Sequence, residues 1–149
     1  MILPTVSVLD NPDFKECLTA CLINKPAMVI IVTDTGFRAT EVDKQLLSIR
    51  DKIRSGSSNF LSRLGLTDIS GVDIRVTYAN VADKRRQMTH AILYVQTPLV
   101  TFLDDHVFLR PAFLGSVVPV FENPRIGLYG TKKAVRRKHP KAYSLLGKY

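Results

Sequence analysis

This 149-residue chain has no tryptophan, only two cysteines, and no apolar run long enough to cross a bilayer. Cys17 and Cys21 stand four apart inside an apparent helix, one turn apart on a single face. That spacing is neither a redox nor a zinc pattern, so they read as buried free thiols acting as small apolar side chains. The opening Met1-Ile2-Leu3-Pro4 lacks the basic segment and long apolar core of a secretory signal. The expectation is therefore a cytoplasmic location, or the cytoplasmic face of a membrane. Residues 125–149 contain no acidic side chain and carry the whole formal excess of +8, while residues 1–124 balance at 13 acids. The high pI is thus a property of a tail, expected to cover 132–149. Clusters such as Lys132-Lys133 and Arg136-Arg137-Lys138 attract nucleic-acid phosphate or an anionic membrane surface. The alternative is a solvated segment. No specific nucleic-acid module or aromatic platform accompanies them.

What is present is a soluble composition, 46% apolar and 23% charged, enough for one core. Thr5–Leu9 is short and β-branched and reads as the first strand. Asn11-Pro12 supplies a cap and a first helical residue. Phe14, Cys17, Leu18, Cys21 and Leu22 then follow at helical spacing. Met28–Thr33 is unbroken apolar chain, as a central parallel strand covered on both faces requires. Thr40 is the expected cap of a second helix burying Val42, Leu46, Ile49 and Ile53. Residues 56–71, rich in Gly and Ser, read as a loop excursion. Val72, Ile74, Val76 and Tyr78 alternate with polar residues and predict a third strand nearer an edge. Asn80 or Asp83 opens a third helix with Met88, Ala91, Ile92 and Val95 inward. Leu99–Leu103 is the fourth strand. Pro111 starts a fourth helix burying Phe113, Leu114, Val117, Val118 and Phe121, and Ile126–Thr131 is a candidate fifth strand. Strands alternating with helices imply βαβ units, hence a three-layer α/β/α domain over 1–131 with a mostly parallel sheet.

Parallel strands share one carboxyl edge, and the polar residues of this chain gather there. Asp10 follows the first strand, Asp34 the second, Lys84 and Arg85 the third, and Asp104-Asp105-His106 the fourth. Ligands of open α/β sheets sit at that edge. Two carboxylates beside an imidazole suit a divalent cation such as Mn²⁺ or Mg²⁺, which commonly escorts phosphate oxygens. Cations at a helix start suit a pyrophosphate. The plain alternative for Asp104 and His106 is a polar turn ahead of Pro111. For Asp34-Thr35-Gly36 it is ordinary turn chemistry, and for Lys84-Arg85-Arg86 a solvated helix face. His90, mid-helix, and His139, in the tail, read as surface residues.

Three segments carry a resemblance. They are Asp10-Asn11-Pro12-Asp13-Phe14 with Cys17-Leu18; Ile30-Ile31-Val32-Thr33-Asp34; and Asn80 to Ile92 followed by Phe102-Leu103-Asp104-Asp105-His106 and Pro111 with Phe113-Leu114. Phe121-Glu122-Asn123-Pro124-Arg125-Ile126-Gly127 continues the third. In order and spacing, over roughly residues 4–137, the chain resembles the nucleotide-sugar half of a family 2 glycosyltransferase of the GT-A fold. The Lys-Arg-Arg-Gln and Asp-Asp-His forms are closest to fungal capsular-polysaccharide-synthase-like members. The resemblance implies a nucleotide-diphosphosugar donor, a UDP-sugar first of all, and a carbohydrate acceptor. It places Asp34 against the nucleotide and Lys84 or Arg85 against the donor. Asp104 and His106 take the outer positions of a DxD-type metal motif, with Asp105 between them. His106 stands where the family usually has Asp, and the loop between Leu9 and Asp10 is shorter than the family's, which weakens the assignment of Asp10. The family's general base and its Gln-x-x-Arg-Trp motif have no counterpart in these residues, so a truncated or donor-binding form is expected and the catalytic residue is unassigned.

Overall fold

Ile2 and Leu3 are neighbours on one short strand, yet they serve two different cores. Leu3 packs with Val29, Ile31, Phe14, Cys17, Leu18, Cys21, Leu22, Val42 and Leu46. Ile2 packs with Ile30, Val32 and Ala91. Successive side chains of a strand point to opposite faces, so this split is the signature of a sheet covered on both sides. In the computed structural model, which describes residues 1–55 and 71–131, β1 (Ile2–Pro4), β2 (Met28–Thr33) and β3 (Asp73–Tyr78) form a parallel sheet in the order β1-β2-β3. The register aligns Ile2 with Ile30 and Thr33 with Tyr78. Helices α1 (Pro12–Ile23) and α2 (Gly36–Arg54) cover one face, and α3 (Lys84–Ile92) covers the other. The three-layer α/β/α arrangement with a parallel sheet is the expected one.

Local chemistry explains the element ends. The Asn11 side chain accepts from the backbone N–H groups of Asp13 and Phe14, and Pro12 occupies the first helical position of α1. Phe14, Cys17 and Cys21 on its inner face are fully buried. Burial of this kind stabilises by about 1.5–3 kcal/mol for each large apolar side chain. Asn24 and Lys25, the latter at φ 48°, end the helix. Asp83 caps α3 by accepting from the N–H of Arg86.

Several expectations are corrected. The first strand is Ile2–Pro4, not Thr5–Leu9. Thr5 already begins the turn, its hydroxyl accepting from Ser7 N at 2.9 Å. Thr40 does not cap α2 but lies inside it, bonding back to Gly36 O. Thr35 opens that helix instead, accepting at its hydroxyl from Arg38 N and at its carbonyl from Ala39 N. In α3 the inward residues include Gln87, 2% exposed, whereas Ile92 is 51% exposed.

The fourth strand shrinks to a single parallel bridge between Ile2 and Phe102. Ile2 donates to Thr101 O and accepts from Leu103 N on that side. The next rung needs an N–H from residue 4, and Pro4 has none. Leu99, Val100 and Phe102 accordingly stay partly exposed rather than buried.

The chain divides into two units, Met1–Ser116 and Val117–Tyr149. Instead of one long fourth helix there is a short α4 (Phe113–Val117), then a 3₁₀ turn over Val118–Glu122, with no fully buried residue in either. Pro119 cannot continue an α-helix, which accounts for the change. Ile126–Thr131 forms no strand; it follows a turn in which Asn123 accepts from Arg125 N and Ile126 N. The proposed excursion at 56–71, apart from its last residue, and the basic tail at 132–149 lie outside the described residues.

Candidate functional site

The carboxyl ends of β1, β2 and β3 and the bridge at Phe102 all face one edge, because every pairing is parallel. Thr5, directly after β1, is tied at three points. Its N–H donates to Val32 O at 2.9 Å, and its carbonyl accepts from the Gln87 amide at 3.1 Å. Its hydroxyl donates to Asp105 Oδ2 at 2.6 Å. Thr5 therefore joins β2, α3 and the segment after the bridge. The loop beyond it is held by Gln45 of α2, which accepts from Leu9 N at 2.7 Å.

Lys84, in the first turn of α3, forms an ion pair with Asp104. The Cys17 thiol donates to the Asp104 carbonyl at 3.4 Å, fastening the same residue to α1 from behind. His106 Nδ1 lies 3.1 Å from Asp105 Oδ1. Asp34, at the end of β2, pairs with Arg38 one helical turn on in α2 through Oδ2. Its Oδ1 is buried without a hydrogen-bond partner among the described residues. Leaving a buried acceptor unpaired costs about 1–3 kcal/mol, so such an atom marks a place where a donor from outside would be welcome.

The structure thus brings together Lys84, Asp104, Asp105 and His106, and it sets Asp34 on the same edge at the end of β2, with β1 between them. Arg85 is exposed on α3 and Asp10 is exposed in the turn before Asn11; neither joins these contacts. His90 is not a plain surface residue: its Nε2 lies 3.0 Å from the Thr77 hydroxyl and its ring meets Tyr94 edge-on.

Thr5, Gln87 and Cys17 are the site-building residues that sequence reasoning missed as such. One signal for Gln87 was available, since it stands three residues after Lys84 and four before buried Ala91, on one helix face. The cysteines are buried and free, as expected. The hydrogen bond with Cys17, followed by burial, holds the Cys21 thiol well above the ordinary range.

The donor set of two carboxylates and an imidazole suits Mn²⁺ or Mg²⁺ chemically. Among the described residues, however, no three His, Cys, Asp or Glu side chains gather closely enough to hold a metal. Asp104 turns to Lys84, and Asp105 turns to Thr5 and His106.

Comparison with known proteins returns three fungal relatives, each called a type 2 glycosyltransferase. The Gibberella zeae protein is 35% identical over 144 residues, 97% of this chain and 23% of its own length. The Zymoseptoria tritici protein is 32% identical over 141 residues, covering 94% and 25%. The Pyricularia oryzae protein is 28% identical over 138 residues, covering 92% and 24%. The chain spans about a quarter of the length of these curated relatives. No protein-family model and no solved structure matches it.

Proposed function

The chain is homologous to one quarter of a type 2 glycosyltransferase, and from that premise we propose that it is the donor-binding segment of such an enzyme, taking a nucleotide-diphosphosugar. The observation that carries this reading is the meeting of Lys84 with Asp104 at the carboxyl edge of a parallel sheet, the same edge on which the unpaired Asp34 Oδ1 lies. A pyrophosphate needs a cation at a helix start, and Lys84 stands there. A nucleobase N–H or ribose hydroxyl needs a buried acceptor, and Asp34 Oδ1 supplies one. A UDP-sugar is the donor class the reading favours.

Asp104 and His106, with Asp105 beside them, are the residues that would hold a divalent cation, Mn²⁺ or Mg²⁺, to offset the charge that develops on a departing diphosphate, although as described they do not converge closely enough to do so. Lys84 contributes to the same end from its own ammonium. The acceptor class is a carbohydrate of polysaccharide type, as in the fungal capsular-polysaccharide-synthase-like proteins that the Asp-Asp-His form resembles. Work at the cytoplasmic face of a membrane fits this; among the described residues no helix is long and apolar enough to cross one. The residue that deprotonates the acceptor is not assigned.

Calorimetric titration of UDP, with and without Mn²⁺, into the wild type and an Asp104→Ala/His106→Ala double variant tests the reading. Binding that strengthens with Mn²⁺ only in the wild type supports it. Equal affinity in all four titrations defeats the metal assignment, and no binding in any defeats the donor assignment.

A further inference from the structure

We propose that Gln87 and His90 are positioning residues that fix where α3 holds Lys84 over the carboxyl edge, an inference that rests on the donor reading above. α3 lies on a sheet face that is largely apolar, where Ile2, Ile30 and Val32 pack with Ala91. Apolar contact has no direction, so it holds a helix against a sheet but resists sliding and rotation only weakly. A hydrogen bond is directional and is lost beyond about 3.5 Å. Two side chains of α3 supply such bonds, and both grip the sheet at the level of Val32. The Gln87 amide donates to Thr5 O at 3.1 Å, and Thr5 N–H is itself fixed to Val32 O. His90 Nε2 lies 3.0 Å from the hydroxyl of Thr77, the residue aligned with Val32 on β3. A hydroxyl both gives and accepts, so this bond forms with either tautomer of the ring.

Gln87 also does what the strands do not. The next rung of the parallel ladder would bring Asp34 N–H to Thr5 O, and among the described residues that bond is not made. The Gln87 amide satisfies the carbonyl instead, which accounts for a polar side chain at 2% exposure. The two pins lie on either side of β2, one at the end of β1 and one on β3. A single pin would leave α3 free to swing about it; two fix its direction as well as its place. Lys84 stands three residues before Gln87 on the same helix face, so it is held where it meets Asp104.

Two measurements on the full chain test this. Side-chain ¹H–¹⁵N spectra of the ligand-free protein follow the Lys84 ammonium, assigned by its loss in Lys84→Met. Asp104→Asn marks where the unpaired group resonates. The Lys84 signal should move toward that position in Gln87→Leu, and also in Thr77→Val, which keeps the shape and removes the hydroxyl. A signal that stays at the wild-type position in either variant overturns the proposal. Calorimetric titration of UDP is the second arm. Each variant should weaken binding about threefold in the wild-type background and not at all in Lys84→Met, the non-additivity of groups that act through one another. Equal losses in both backgrounds, or none in either, also overturn it. If the wild type binds no UDP while the Lys84 signal responds to both variants, the donor reading fails and the two pins stand.

Discussion

Lys84 and Asp104 lie twenty residues apart in sequence and meet as an ion pair across the mouth of the sheet. The Lys84 side chain is 55% exposed, so solvent screens the pair and its contribution to folding is under about 1 kcal/mol. On the proposed reading its value is in binding. Lys84→Met should therefore leave the thermal midpoint within a few degrees of wild type while weakening UDP binding about tenfold, the scale of one charge-assisted contact. Calorimetry and thermal melting of the same preparation check both halves, and an unchanged UDP affinity would remove Lys84 from the site.

Asp34 invites a different substitution. Its Oδ1 is buried and unpaired, and its Oδ2 is held by Arg38, whose side chain is 38% exposed and reaches water without it. Asp34→Ala removes an acceptor that the folded chain leaves unsatisfied, so little stability should be lost. UDP affinity should drop about tenfold, because a nucleoside donor would lose its partner. A fall in melting temperature with unchanged UDP affinity would assign Asp34 to the fold alone.

The cysteines set an alkaline limit. Cys21 is held well above its reference value of 9.0 by its hydrogen bond with Cys17 and by burial, so the folded chain retains a proton that the unfolded chain releases. Stability from this source is complete below about pH 9 and falls as pH rises further, by at most about 1.4 kcal/mol per pH unit for one thiol. Denaturation midpoints measured from pH 7 to 10.5 should decline above pH 9 in the wild type and decline less in Cys21→Val. Both thiols should resist alkylation until the chain unfolds.

Asn11 and Phe14 divide the stability of α1 between its cap and its core. Asn11→Ala removes the acceptor of two backbone N–H groups and should cost about 1 kcal/mol. Phe14→Ala opens a cavity at a fully buried position and should cost about 3–5 kcal/mol. Urea titration followed by circular dichroism ranks the two, and equal costs would contradict the packing described for Phe14.

The elements that were legible in the sequence are those whose residues solve a local problem. Asn11-Pro12 caps and starts α1 on its own terms, Met28–Thr33 is apolar on both faces because both faces are covered, and Asp83 caps α3 wherever that helix docks. The elements misread are those decided by neighbours. Thr5–Leu9 has strand-forming side chains, but Thr5 is drawn into a turn by its own hydroxyl. Leu99–Leu103 looks like a buried strand, but the strand beside it ends at a proline that cannot offer the next rung.

The same division runs through the candidate site. By itself the order of residues determined that acids and a lysine follow the strands of a parallel sheet, because alternation of strand and helix leaves one shared carboxyl edge. Only the tertiary structure decided the pairings: Lys84 with Asp104, Thr5 with Asp105, Gln87 with Thr5. A hydrogen bond acts over about 3 Å, and residues 100 apart in the chain come within that reach only after two helices have packed on opposite faces of one sheet.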